Sequence, residues 1–342
     1  MAAIMNAYLA QKRSLRYLFL RHLCFRLQHR FWFSFRRRRP LVVDFEINTD
    51  GQRIGLFAEL VWLLYAIRYA EAIGAHPVIR LTSAIYSRAG DGQTDYLPQL
   101  FDPVWSGADR PGAWVIRKRI SSLAHLPCLA LRTQGLNLWV ANQIVTRYLP
   151  VNSRIQSTVE DFVRSRLGND YIAVHWRGTD KHLEAKPVTS SDLAAKIMCL
   201  YQAMPQKPRY LFIASDQEDH LASLAAEVSR LIPGLRCVAR DCVQRSADGN
   251  PVHLRQGLEP DQRDQMGREA LIDCLLMARA RARALIRTAS YLSAWCSIWN
   301  PLLPVFMVNQ PHEATCWFPD DEILLASRFR WARLQSQGLL LA

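Results

Sequence analysis

Between residues 152 and 308 two kinds of pattern alternate, and that alternation restricts the fold more than any other feature of the chain. Short apolar runs rich in β-branched and aromatic residues stand at 171–174, 210–213, 236–239, 284–287 and 305–308. Stretches with helical spacing lie at 154–167, 192–204, 217–231, 264–279 and 291–299. Strands that alternate with helices build a parallel sheet with helices over both faces. Strands buried on both faces need no polar alternation, and these runs show little.

The first half begins with the same grammar. A strand at 41–47 runs into a turn at Asp50, Gly51 and Gly55, then a helix at 57–73 in which only Glu59, Arg68 and Glu71 are charged. A helix apolar almost all round belongs to a buried layer. Gly74 is placed to end it, and a strand at 77–81 completes a βαβ unit. The turn lacks G-x-G-x-x-G and a Walker lysine, so it carries no nucleotide signature of its own. Residues 84–150 are less regular. We expect a polar loop at 87–94, short strands at 113–116, 129–132 and 138–140, and a short helix or turn at 142–148. The chain therefore reads as α/β: two Rossmann-like domains, 41–150 and 151–330, with a cleft between them, behind a leader at 1–40.

Charge isolates that leader. Residues 1–40 hold ten Lys and Arg and no Asp or Glu, so a net charge of +13 leaves only +3 on the rest. Lys12, Arg16, Arg26 and Arg30 cluster on one side of a helical wheel, the same stretch carries Leu15, Leu18, Phe19, Leu23 and Leu27, and Arg36–Arg39 follow. No apolar run reaches the ~20 residues of a membrane span, and arginines interrupt any signal-peptide core. An interfacial helix on an anionic membrane, a nucleic-acid-binding arm and a solvated basic tail all share this pattern. The many large apolar residues favour the membrane and argue against a polar tail. The eight cysteines form no C-x-x-C pair, which points away from a zinc site or disulfide framework and toward reduced thiols in a cytoplasmic protein.

Chemistry concentrates at predicted strand ends. The run at 171–174 is followed within seven residues by His175, Arg177, Asp180 and Lys181 around Gly178. Open α/β sheets bind ligands at the carboxyl ends of their strands, and the Arg177 guanidinium fits phosphate oxygens two at a time. The competing reading is a surface loop whose charges pair with one another. Asp216 follows the strand at 210–213, where Ser215 and Glu218 also fit an ordinary capping box. Ser290 or Ser293 at the start of the helix at 291–299 is either a plain cap or an anion site. Asp273 sits in an otherwise apolar stretch, and a buried carboxylate must be paired. A ligand base edge would pair it; so would an arginine among Arg279, Arg281 and Arg283. Asp44 and Glu46 make a D-x-E pair that is either a divalent-ion fragment or a strand-end coincidence.

H-W-R-G-T-D-K at 175–181 resembles the H-x-R-R-T-D-K motif of the α-1,6-fucosyltransferases, which include bacterial nodulation enzymes and animal enzymes acting on N-glycan cores. F-I-A-S-D at 212–216 and the stretch 269–293 are similar to the second and third motifs of that family, in the same order. Gly178 stands where the family has a second Arg, and Glu59 where it has Gln or Asn. The resemblance implies a GT-B fold, a GDP-fucose donor held by the C-terminal domain, inversion at the anomeric carbon, and neither metal nor other cofactor. It implies that Arg177 meets the β-phosphate, that His175 and Asp273 lie near the base, and that Ser290 or Ser293 lies near the phosphates. The family's proposed base is a Glu four residues after the motif Lys; here Glu184 stands three after Lys181.

Sugar transfer requires a stabilised leaving diphosphate, a base for the acceptor hydroxyl and exclusion of water. Arg177, Lys181 and the helix beginning at Tyr291 are the candidates for the first role. Glu184, with Asp180 behind it, is the candidate for the second. The expected partners are a nucleotide-sugar donor, a glycan or glycolipid acceptor and an anionic membrane surface met through residues 1–39, not nucleic acid. The same scaffold would also suit another nucleotide sugar, or a membrane-docked protein that binds such ligands without turnover.

Overall fold

The computed structural model describes residues 40–50, 54–105, 112–121, 138–168, 170–179, 185–241, 244–246, 249–255, 257–279 and 282–309. The basic leader, Asp180, Lys181 and Glu184 lie outside them.

The first sheet is built around β1 (Leu41–Asn48), which sends Val43, Phe45 and Ile47 into the core. They meet α1 (Leu56–Ala72), where the Tyr69 ring packs edge-on against Phe45 at 6.0 Å. The helix is buried on nearly every side, as its uniform apolarity predicts. β2 (His76–Thr82) and β3 (Trp114–Ile120) flank β1 in parallel, giving the order β2-β1-β3. Asp44 and Glu46 point away from α1. Arg80 reaches toward both, Arg117 lies 3.8 Å from Asp44, and Arg119 lies 3.3 Å from Glu46. The D-x-E pair is thus the middle row of an arginine-carboxylate ladder and not a cation fragment.

The expected strand at 138–140 is instead the first turn of α2 (Leu138–Tyr148). Leu138, Ala141, Ile144, Val145 and Tyr148 are buried at helical spacing, and that period prevails over a short apolar triplet.

The second half opens with α3 (Ser153–Phe162), capped by the Asn152 side chain, which accepts from the Arg154 N–H at 3.0 Å. The helix widens into a π turn at Val163–Leu167 where the sequence alone suggests one continuous helix. Then follow β4 (Tyr171–Trp176), α4 (Ser190–Ala203), β5 (Tyr210–Ser215), α5 (Glu218–Leu231), β6 (Arg236–Val238), α6 (Pro260–Ala278), β7 (Ala282–Arg287), α7 (Tyr291–Trp299) and β8 (Val305–Met307). All five strands pair in parallel, in the order β6-β5-β4-β7-β8. Thr189 and Asp192 close a capping box on α4, each side chain accepting from the other residue's backbone N–H. The capping box expected from Ser215 and Glu218 does not form. Gln217 occupies the cap position of α5, and Ser215 Oγ accepts from the Gln217 N–H at 3.2 Å.

β4 is central and buried along its whole length. Ile172, Val174 and Trp176 enter a cluster with α4 and α5, while Tyr171 and Ala173 enter a larger core continuous with β1 and α1. The two halves also meet through hydrogen bonds: the Trp295 indole N–H donates to the Phe57 carbonyl at 2.9 Å, and the Asn142 amide donates to the Ile298 carbonyl at 2.8 Å. From β4 the chain runs outward to β5 and β6, then returns to β4's other side for β7 and β8. The switch in direction lies between β4 and β7, and a crevice opens there at the strands' carboxyl ends. Among the described residues no helix is long and apolar enough to cross a membrane.

Candidate functional site

A cleft of about 260 Å³ opens at that switch point. Its floor is the end of β4 and β5, with His175, Arg177 and Asp216. One wall is α6, with Glu269 and Asp273. Another is the start of α7, with Tyr291 and Leu292. The first half closes it with Gly55–Ala58 at the start of α1 and with Tyr86. Four of the residues singled out from sequence, His175, Arg177, Asp216 and Asp273, therefore share one cavity.

Backbone pairing fixes the turn that carries Arg177. The Thr288 N–H donates to the His175 carbonyl at 3.0 Å, and the Arg177 N–H donates to Thr288 Oγ1 at 2.9 Å. Asp216 holds the next two residues: its carboxylate accepts from the Gly178 N–H at 3.0 Å and the Thr179 hydroxyl at 2.8 Å. It also lies 3.5 Å from Arg177 Nε. Asp216 is thus the clamp of the Arg177 loop as well as part of the cleft floor. Gly178 is required sterically. A Cβ there would run into the His220 imidazole and the Gln217 amide, and His220 is held in place by stacking on Trp176 with ring centroids 3.9 Å apart.

The start of α7 is a helix N-terminus whose cap, Ser290, has a buried hydroxyl with no hydrogen-bond partner among the described residues. Ser293 is fully buried. Its hydroxyl accepts from Arg287 at 3.3 Å and reaches the Ser290 carbonyl at 3.3 Å. Neither serine is among the residues lining the cleft; the neighbouring Tyr291 and Leu292 are. Ser293 instead ties the buried Arg287 to the first turn of α7.

Asp273 is paired, and Arg279 is not its partner; the side chains of Arg281 and Arg283 lie outside what the structure describes. Arg240, from beyond β6, donates to Asp273 Oδ1 at 3.0 Å and to the Glu269 carbonyl at 3.1 Å, while Arg279 pairs with Glu160. Glu269, one turn earlier on α6, accepts from the Gln244 N–H at 2.8 Å and the Gln265 amide at 2.6 Å. Burial raises both carboxyls above the ordinary carboxylate range, and the nearby Arg240 opposes the shift. Glu269, Arg240 and Tyr86 were missed as individual residues. The spacing of Glu269 and Asp273, four apart on one helix face, marks the pair in the sequence; nothing local marks Arg240 or Tyr86.

Behind the α1 wall lies Glu59, fully buried. It accepts from the Thr49 hydroxyl at 2.7 Å and from the Tyr96 hydroxyl. Burial pushes its pKa up to about 7 against the effect of these donors. The Tyr86 hydroxyl accepts from the Leu56 N–H at 2.8 Å and so sets the first residue of the helix.

Chemically the cleft is two-ended. A guanidinium and two helix N-termini, which favour negative charge, meet on one side. Two carboxyls able to accept N–H donors stand on α6. A ligand with an anionic group and a donor-bearing ring edge matches both ends.

No protein-family model and no curated protein matches this chain. Among solved structures it is similar to NodZ alpha-1,6-fucosyltransferase soaked with GDP-fucose, at 16% identity over 77% of this chain and 94% of that one, with a TM-score of 0.49. NodZ from Bradyrhizobium aligns at 16% identity over 77% and 93% of the two chains, with a TM-score of 0.48. It is also similar to a mutant of Arabidopsis thaliana FUT1 in complex with GDP, at 11% identity over 84% of this chain and 74% of that one, with a TM-score of 0.48. POFUT1 in complex with GDP aligns at 10% identity over 79% and 98% of the two chains, with a TM-score of 0.44.

Proposed function

We propose that this chain is a glycosyltransferase that transfers a sugar, with fucose from GDP-fucose as the first candidate, to a glycan or glycolipid acceptor, inverting the anomeric centre without a metal. The observation that carries the reading is that Arg177 and the start of α7 share one cleft with the Asp273 and Glu269 carboxyls. A nucleoside diphosphate has the matching chemistry: phosphates for the cationic side, and on a guanine base N–H donors for the carboxyl side. The motif resemblance at 175–181 supports the same donor.

In this reading the acceptor oxygen attacks the anomeric carbon while Glu184, backed by Asp180, takes its proton. The bond from that carbon to the diphosphate oxygen breaks, and GDP leaves with the electron pair. Arg177, Lys181 and the dipole of α7 stabilise the charge that develops on the leaving group. His175, Asp216 and Asp273 position the donor from the floor and wall of the cleft. Ser290 contributes at the α7 cap, and Ser293 acts behind it through Arg287. Domains at 41–150 and 151–330 supply the acceptor and donor sides, and residues 1–39 hold the enzyme on the cytoplasmic face of an anionic membrane.

The test is a panel of nucleotide sugars offered to the purified protein with glycan and glycolipid extracts, read by release of GDP or UDP. GDP release from GDP-fucose with an acceptor present is the expected result. Release from a UDP-sugar alone would reassign the donor. Tight GDP binding without turnover on any acceptor would favour a binding protein.

A further inference from the structure

We propose that Tyr86 is a donor-binding residue contributed by the first half of the chain, and that its hydroxyl donates a hydrogen bond to a diphosphate oxygen held by Arg177. The inference rests on the nucleotide-sugar reading and adds a residue that no motif marks.

Three observations carry it. Tyr86 lines the cleft together with Arg177, although the two come from opposite halves of the chain. Its oxygen is already fixed, because it accepts the Leu56 N–H at 2.8 Å, and no described residue accepts its own proton. A phenol oxygen can accept and donate at once, so one donor at the cleft wall remains to be satisfied by what the cleft holds. The ring is also held from both halves. It lies 5.8 Å from the Tyr96 ring, and a side chain on Gly267 of α6 would come within 3.5 Å of it.

The loop bearing Tyr86 is latched to α6 as well. Arg263 donates to the Ala84 carbonyl at 2.7 Å, and Arg88 pairs with Asp261 at 2.7 Å. The hydroxyl is therefore presented by a position that both halves define. Burial and the Glu59 carboxyl hold this phenol far above the ordinary tyrosine range, so it stays protonated and able to donate.

The experiment is calorimetric titration of the wild-type chain and of Tyr86→Phe with GDP and with guanosine. A hydrogen bond to a charged oxygen predicts that the variant binds GDP about 10- to 100-fold more weakly. Guanosine, which has no phosphate, is expected to bind both proteins equally, and that equality also shows the variant folded. Equal GDP affinity in the two proteins overturns the inference. So does equal weakening toward both ligands, which would mark Tyr86 as a prop for Leu56 only. Wild-type protein that binds guanosine or GDP not at all overturns the nucleotide reading itself and this inference with it. Should the Phe variant not fold, a fluorotyrosine at position 86 gives a second readout. Its fluorine resonance is expected to move with GDP and not with guanosine; a resonance unmoved by GDP overturns the proposal.

Discussion

The backbone N–H of Arg177 is bound to the side-chain oxygen of Thr288, 2.9 Å away on the neighbouring strand end. The residue expected to grip the ligand is therefore aimed by a threonine 111 positions later in the chain. The bond crosses the line where the sheet reverses its order of growth, so it links the two edges of the crevice.

Arg177→Ala is expected to lower sugar transfer by roughly 100- to 1,000-fold, as loss of a preorganised charge donor can. Thr288→Val leaves the guanidinium present but removes its backbone anchor, and leaving that N–H unpaired costs about 1–3 kcal/mol. Initial rates and GDP affinity measured on both variants check this. Unchanged turnover in Arg177→Ala would remove the residue from the site.

Gly178→Ala is expected to destabilise the fold by about 1–3 kcal/mol, the usual range for overpacking, because the methyl meets His220. His220→Ala in the same chain should recover part of that loss, since the Gln217 amide stays in the methyl's way, at the cost of the stack on Trp176. Thermal melts of the two single variants and the double variant form a closed cycle. Additive losses would contradict the proposed steric conflict.

Glu59 gives a pH dependence with a definite sign. Its folded pKa, about 7, lies above the ordinary value of 4.5. Between these values the folded chain keeps a proton that the unfolded chain has released, so this group's contribution to stability falls as pH rises through that window and levels off above it. The fall is on the order of 3 kcal/mol for a shift of this size. Glu59→Gln should flatten the dependence, gaining on the wild type from about pH 5 to about pH 8 in urea unfolding. Parallel pH profiles would refute the assignment.

Asp273→Ala leaves the Arg240 guanidinium, itself mostly buried, without its carboxylate. A loss on the order of 3–5 kcal/mol is expected. Replacing both, Asp273→Leu with Arg240→Met, should restore stability but not GDP binding. Recovery of binding in the double variant would show that the pair has only a structural role.

Deleting residues 1–39 should release the protein from vesicles of anionic lipid while leaving turnover of a soluble acceptor within about twofold, since electrostatic attachment and the cleft chemistry are separate. Co-sedimentation with vesicles at low and high salt measures the first, and initial rates the second.

The parallel sheets were readable because β4, β5 and β7 are short apolar runs between strong helical patterns, a signal local to each segment. Leu138–Val140 misled because a triplet is too short to fix a period; the buried spacing appears only with Ile144 and Tyr148. Asp216 and Asp273 could be picked out as carboxylates in apolar settings, but their partners could not. Arg240 reaches Asp273 across 33 positions, and Gly178 reaches Asp216 across 38, distances that only the folded chain closes. Tyr86 sits in an irregular loop, where neither periodicity nor motif singles out one residue.

The apolar interior that runs from β1 through α1 into α6 and α7 has a consequence for anyone who would cut the chain near position 150. Either fragment would expose a broad oily flank, including Trp295 in one and Phe57 in the other. The intact protein should accordingly melt in a single calorimetric transition, and separately expressed halves should stay soluble only when produced together.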